Sequence, residues 1–456
     1  MTDKIEILDN VYAKAAKPLW DHIGACLYYK RKFVKQKQHG TEVKQEDASM
    51  LDRRSGKFLA GLLPRVMQYL RSQGVDFELA GMMEPMAPAR PPTLKGITLR
   101  PEQQELIQQV NAYQRGVIKA PTGSGKTIMA LGAISQWPDA RVLILVHRKE
   151  LLTQFADRIM AHMDRIHMQT IMEGCTKRIE APLIVAMVQT LIKRDWQELY
   201  NRFDILIVDE VHHAVDEDSQ LGTLITQNIS PIKIGFTATP PDMVHDLNKA
   251  LTLEGMIGPV IGDLSVKKGQ ELGIIAHPYV TLMGVPYNTD IAELRKYRDI
   301  YVAGVVENTA RNAILTKAAK ARAMAGLSSL TIIKEIDHGN RLVAMAERFG
   351  LTSIFIHGGT SADQRQAVKQ ALENKTHLNV IVTDIWREGV DIPTLDCVII
   401  GAAPKSQIYT LQAVGRGMRT AEGKEWVEIV DFLDPYKYLA RHCVGRLNMY
   451  KEGGWL

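Results

Sequence analysis

At 456 residues the chain is long enough for two or three domains, each with its own core, and 46% hydrophobic with 23% charged residues is too apolar for disorder. A formal net charge of +5 excludes a uniformly basic surface, so any polyanion must be met by a local patch. Four scattered cysteines (Cys26, Cys175, Cys397, Cys443) without a CxxC pair argue against a disulfide framework or a zinc site. With an acidic amino terminus and no membrane-length apolar run, they lead us to expect a cytoplasmic protein with no membrane partner.

Residues 1–90 read as a small accessory domain without a nucleotide motif. Within it Tyr28–Lys37 sets five basic residues among three aromatics, a mixture that either holds phosphates and stacks on bases or forms a solvated basic strand edge. The stretch Phe58–Leu70 has helical apolar spacing and ends near Gly74. Four prolines between Met82 and Pro92 exclude a helix or a central strand there, which predicts a linker.

From about residue 91 to 285 short β-branched runs alternate with helical stretches. Gly116–Lys119, Arg141–Val146, Pro182–Ala186, Asp204–Val208 and Ile232–Phe236 read as buried strands of a parallel sheet with helices on both faces. The pattern breaks over roughly 242–290, where Gly, Pro and polar residues are frequent. It resumes within a second α/β block, 286–456, at Leu330–Ile333, Thr352–Ile356, Asn379–Val382, Cys397–Ile400 and Val427–Val430. A basic helical tail, Tyr438–Tyr450, closes that block.

The first strand runs into Ala120-Pro-Thr-Gly-Ser-Gly-Lys-Thr127 and then into a helix. A strand, a tight glycine turn and a helix start leave several N–H groups facing one small cavity, as a polyphosphate requires. Thr122, Gly123, Ser124 and Gly125 would form the cradle, Lys126 would reach the β- and γ-phosphates of ATP, and Thr127 would ligate Mg²⁺. An ordinary βα turn is the alternative. Ala120 stands where the generic motif has glycine.

Asp209 and Glu210 close the fourth strand, where carboxylates are poorly placed for packing. Beside a phosphate loop they have a use: Asp209 holds the Mg²⁺ shell and Glu210 orients and deprotonates the attacking water. A carboxylate pair used for helix capping is the alternative. His212 reads as a polar contact between the two α/β blocks, and His213 is undecided. Trp386 is either core or a stacking surface.

Taken in order, the phosphate loop, Asp209-Glu-Val-His212, Gly235-Phe-Thr-Ala-Thr-Pro240, Thr383–Pro393 and Gln412-Ala-Val-Gly-Arg-Gly-Met-Arg419 resemble the motif set of superfamily 2 helicases across about residues 97–420. The resemblance implies two tandem RecA-like parallel-sheet domains, with ATP in the cleft between them, behind the small N-terminal domain. It implies adenine recognition by Gln103 within Leu99–Gln103, which includes Arg100. Thr237 and Thr239 would couple hydrolysis to domain movement, and Gly389 and Asp391 would be second-domain nucleotide contacts. Arg148, Gln189, Thr190, His357, Gly358 and Thr383 would lie along the nucleic-acid track. Catalysis is assigned to Lys126, Glu210, Gln412, Arg416 and Arg419. The two arginines are three residues apart, so on one helix they share a face and can both meet charge building on the γ-phosphate.

The short N-terminal block and the DEVH box further resemble phage UvsW-type branch-remodelling helicases and their XPB- and RecG-like relatives. That implies an ATP-dependent DNA helicase acting, as a monomer, on branched or forked DNA in recombination or repair, in the host cytoplasm if phage-encoded. An RNA helicase is the rival enzyme. An ATP-gated nucleic-acid clamp or sensor that separates no strands is the rival without strand separation.

Overall fold

The computed structural model describes residues 3–37, 40–81, 85–163, 167–175, 178–194, 202–216, 219–244, 246–383, 392–405, 410, 415, 417–418 and 424–456. The residues 121–124 apart, a first compact unit runs to Leu264 and a second begins at Ser265.

In the first unit the described residues form a seven-stranded sheet. Its order is Val260–Asp263, Arg115–Lys119, Ile232–Thr237, Ile205–Asp209, Val142–Val146, Leu183–Met187, Met168–Ile171. All neighbours are parallel. A parallel sheet needs cover on both faces, and the strand Val142–Val146 shows it: Val142, Ile144 and Val146 enter one apolar cluster, Leu143 and Leu145 the other.

The second unit repeats the plan with six parallel strands among the described residues, in the order His277–Gly284, Trp426–Leu433, Cys397–Ile400, Ser329–Ile332, Asn379–Val382, Ile354–Ile356. Val398 and Ile400 face one core and Cys397 and Ile399 the other.

The stretch 242–290, where the sequence pattern lapses, holds regular elements. They are the helix Leu247–Met256, the edge strand Val260–Asp263, the helix Val266–Glu271 and the strand His277–Gly284. The last pairs with Trp426–Leu433, so the second sheet starts ahead of the boundary expected at 286. Val260–Asp263 and His277–Gly284 are both sheet edges, where a residue without an N–H such as Pro278 is tolerated.

Residues 3–80 form a four-stranded sheet (Lys57–Leu59, Tyr12–Ala15, Asp3–Ile7, Phe77–Ala80) and a separate two-stranded ribbon, Tyr28–Lys37 with Gly40–Ser49. In the ribbon Lys30 stands opposite Asp47 and Arg31 opposite Glu46, so two of its cations are matched across the strands. The block is a layer of the first unit. Leu251 of the helix Leu247–Met256 joins its apolar core, and Arg65 grips the buried Glu254 from two nitrogens, Nε at 2.9 Å and Nη2 at 2.8 Å. Gly61 lies against the Glu254 carbonyl so closely that a Cβ would sit 2.1 Å from it. Arg115 Nη1 donates to Asn10 O at 2.9 Å, and Asn10 Nδ2 donates to Ile229 O at 2.6 Å.

The proline-rich stretch read as a linker is strapped to the same unit. Gln114 exchanges two hydrogen bonds with Met86, Trp137 Nε1 donates to Met86 O at 3.1 Å, and Thr93 N donates to Ser135 Oγ at 3.0 Å. Prolines lack donors but keep their neighbours' carbonyls free to accept, which suits an extended strap.

Candidate nucleotide and nucleic-acid site

The strand Arg115–Lys119 delivers the chain to the phosphate loop. Ala120 N donates to Thr237 O at 2.9 Å, which prolongs the pairing with Ile232–Thr237, and Ala120 is fully buried. The backbone there does not need glycine. It does at Gly123 (φ 91) and Gly125 (φ 86), which turn the chain into the helix Lys126–Ser135 through the left-handed region. Ser124 is buried and its Oγ donates to Pro121 O at 2.8 Å. Thr122 and Thr127 are half-buried on either side.

Gln103 and Arg100 pack on this turn. Gln103 Oε1 accepts from Arg100 N at 3.1 Å, capping the helix Pro101–Tyr113, and a Cβ on Gly125 would meet Gln103 Nε2 at 2.6 Å. Arg100 Nε lies 2.7 Å from Glu102.

Asp209 ends the strand Ile205–Asp209, and Glu210 follows in a left-handed conformation (φ 46, ψ 50). Glu210 Oε1 lies 3.6 Å from Lys126 Nζ, and its Oε2 lies 3.4 Å from His212 Nδ1. His212 Nδ1 is also 2.8 Å from Thr237 Oγ1, and Thr237 Oγ1 accepts from Thr239 N at 3.1 Å. These contacts of His212 lie inside the first unit. Burial, and then the neighbouring Glu210 carboxylate, push the Asp209 carboxyl up to about 6, against the pull of Lys126 and His147. Two crowded carboxylates beside a loop threonine therefore fit a hard divalent cation, which would relieve that excess negative charge. Glycine turns and a helix start equally fit a polyphosphate. Thr127 and Asp209 are the residues that would hold Mg²⁺.

The sequence reading missed a row of imidazoles. His147 lies 4.9 Å from His213, and His213 lies 4.2 Å from His212, ring centre to ring centre. His213 Nδ1 sits 3.5 Å from Asp216. Nothing in the spacing of His147 signalled this, because the contact is made between neighbouring strand ends.

The expected nucleic-acid residues gather at strand carboxyl ends within each unit. Arg148 stands at the N-cap position of the helix Lys149–His162, just beyond Val142–Val146. Gln189 and Thr190 follow the adjacent strand Leu183–Met187, with Gln189 Nε2 donating to His147 O at 3.1 Å. In the second unit His357 and Gly358 follow Ile354–Ile356, Thr383 follows Asn379–Val382, and Thr383 N donates to Ile356 O at 3.1 Å. Gly389, Asp391, Gln412, Arg416, Arg419 and Trp386 lie outside the described residues. Among the described residues no group of three or more His, Cys, Asp or Glu is arranged to hold a metal, and no helix is long and apolar enough to cross a membrane.

The comparisons with known proteins agree with this geometry. A family model described as the res subunit of type III restriction enzymes matches residues 96–242, and the helicase conserved C-terminal domain matches residues 307–421. By these two domains the chain is similar to the superfamily 2 helicases.

Among its relatives, putative helicase 22 of Sulfolobus islandicus filamentous virus is 23% identical over 76% of this chain and 65% of its own length. The ATP-dependent DNA helicase uvsW of Enterobacteria phage T4 is 21% identical over 77% of this chain and 74% of its own. The solved structure of Mycobacterium smegmatis helicase Lhr, bound to single-stranded DNA and AMP-PNP, superposes with a TM-score of 0.53 at 19% identity. It covers 78% of this chain and 48% of that one, and supports the RecA-like fold of the two sheets. The chain spans about half to two thirds of the length of several curated relatives it matches.

Proposed function

We propose that the chain is an ATP-driven DNA helicase or translocase that unwinds or branch-migrates branched DNA (forks, D-loops, Holliday junctions) in phage-type replication, recombination or repair. The observation that carries this reading is the convergence of Lys126, Asp209 and Glu210 at the carboxyl ends of parallel strands, with Glu210 3.6 Å from Lys126. The amine of Lys126 pairs with the terminal phosphates of ATP. Glu210 takes a proton from the attacking water, and its second oxygen stays beside His212. Mg²⁺, when bound, neutralises charge on the phosphate oxygens. Arg416 and Arg419 stabilise the charge that develops on the γ-phosphate, and Gln412 belongs to the same segment. Thr237, bonded to both His212 and Thr239, is placed to sense the state of Glu210.

DNA is favoured over RNA because the phage relative carries DNA helicase in its name and because His212 stands where DEAD-type RNA helicases carry Asp. Branched DNA is favoured by the likeness to UvsW-type proteins, and the chain is taken to act as a monomer.

The test is ATP hydrolysis stimulated in parallel by single-stranded DNA, duplex, a four-way junction and RNA, with strand separation followed on the junction. Stimulation strongest with the junction, accompanied by strand movement, is expected. RNA as the best stimulator would favour the RNA helicase, and nucleotide-dependent binding without strand movement would favour the clamp.

A further inference from the structure

In the first unit the adjacent parallel strands Val142–Val146 and Ile205–Asp209 end in loops with different duties. The first leads to His147 and Arg148, beside Gln189 at the next strand end, where the nucleic-acid track is expected. The second leads to Glu210 and the short helix Val211–Val215, where hydrolysis is expected.

Followed side chain by side chain, the contacts between the two loops are unbroken. Gln189 Nε2 donates to His147 O at 3.1 Å. The His147 ring is 4.9 Å from that of His213 and tilted by 54°, and the His213 ring is 4.2 Å from that of His212 and tilted by 37°. His212 Nδ1 lies 3.4 Å from Glu210 Oε2, and Glu210 Oε1 lies 3.6 Å from Lys126 Nζ. At such separations one flat ring cannot turn without displacing the next.

The short helix is fixed from its other side. Val211 and Ala214 join the apolar cluster of the sheet, a Cβ on Gly235 would meet Val211 at 2.7 Å, and one on Gly222 would meet Ala214 O at 2.5 Å. Ser219 Oγ donates to His213 O at 2.8 Å, and Asp216 lies 3.5 Å from His213 Nδ1. What remains adjustable is Glu210, whose φ of 46 is costly for a residue with a Cβ and persists where neighbours over-determine it. Three half-buried polar rings side by side add little to an apolar core, so packing alone does not account for the row.

We propose that His147 and His213 are positioning residues that couple nucleic-acid contact to hydrolysis. Nucleic acid held at Arg148 and Gln189 fixes His147, and the row, ending at His212, holds Glu210 in the left-handed conformation from which it takes a proton from water. Glu210 is then the two-state element that both ends of the row bias. The inference rests on the helicase reading for its effect on rate, and on the ring contacts alone for its effect on order.

The experiment uses the full chain and whichever of single-stranded DNA, duplex, four-way junction and RNA stimulates the wild type most. It compares wild type with His147→Ala, His213→Ala, the double variant and His213→Phe, and reads the ratio of kcat for ATP at saturating nucleic acid to kcat without it. A loss of placement alone would lower both rates and leave the ratio unchanged. The ratio is expected to fall about tenfold in each alanine variant and no further in the double variant, because the two rings act in series. His213→Phe, which keeps a flat ring, is expected to restore most of it. An unchanged ratio in both alanine variants, losses that multiply in the double variant, or a phenylalanine variant as impaired as the alanine one would overturn the proposal. A wild type stimulated by none of the four nucleic acids would instead remove the helicase reading. Amide hydrogen exchange without ligands then decides the row: His147→Ala is expected to quicken exchange at residues 209–215 about tenfold, and unchanged exchange there would overturn it.

Discussion

Glu210 adopts φ 46 and ψ 50, a conformation that costs a non-glycine residue about 1–3 kcal/mol and tends to persist where surrounding structure over-determines it. Here that structure is Lys126 on one carboxylate oxygen and His212 on the other. The acidic pair was legible in the sequence because two carboxylates at the end of an apolar run have few other uses. The backbone strain and the His147–His213–His212 row were not, since Lys126 meets Glu210, and His147 meets His213, across a long stretch of sequence.

His338 is a second residue whose state follows from its surroundings. Its imidazole is fully buried, its Nε2 lies 2.9 Å from Asn312 Oδ1, and burial with the nearby Arg311 cation drives its pKa down to about 3. A depressed histidine stays neutral in the folded state while the unfolded chain protonates near 6.5. Its contribution to stability is therefore present above that value and is lost as pH falls towards 3. Between pH 7 and 5 the loss from this one group is about 2 kcal/mol. Denaturant unfolding at the two pH values should show that loss in the wild type and a correspondingly smaller one in His338→Gln. Equal losses in both would contradict the assignment.

At the scale of elements, strands buried on both faces were readable as runs such as Val142–Val146, and the helices between them followed from their period. Edge elements were not. Val260–Asp263 and His277–Gly284 are half-covered, one carrying glycine and the other opening on His-Pro, so their composition resembles loop. The proline-rich strap reads as a linker for a similar reason, since its order comes from Gln114, Ser135 and Trp137, which belong to other elements.

The helix Leu247–Met256 joins the N-terminal block to the first unit chiefly through Arg65 and Glu254, whose side chains are 35% and 6% exposed. Arg65→Ala leaves a buried carboxylate without its cation and should destabilise the first unit by about 2–3 kcal/mol, less than for a fully buried pair because the arginine is partly wet. Replacing Glu254 by Gln in the same chain should recover part of that loss. Chemical denaturation followed on the first unit reads both, and an Arg65→Ala variant as stable as wild type would show that apolar contacts around Leu251 suffice for docking.

For the whole molecule, two parallel sheets each present loops at the carboxyl ends of their strands, and among the described residues Lys126, Glu210, Arg148, His357 and Thr383 follow such ends. That placement was legible because each of these follows an apolar run, and a strand's carboxyl end is where α/β sheets carry their ligands. The docking of residues 3–80 onto the first unit was not legible, because it depends on a glycine approach and an ion pair spanning 189 positions of sequence.

The most direct measurement compares Glu210→Gln with wild type for steady-state ATP hydrolysis on forked DNA, together with ATP and DNA binding. The variant is predicted to bind both ligands as wild type does and to turn over ATP slower by about a hundredfold or more, with no strand movement. Hydrolysis near the wild-type rate would contradict the role given to Glu210 and, with it, the assembly of Lys126 and Asp209 around a hydrolytic centre.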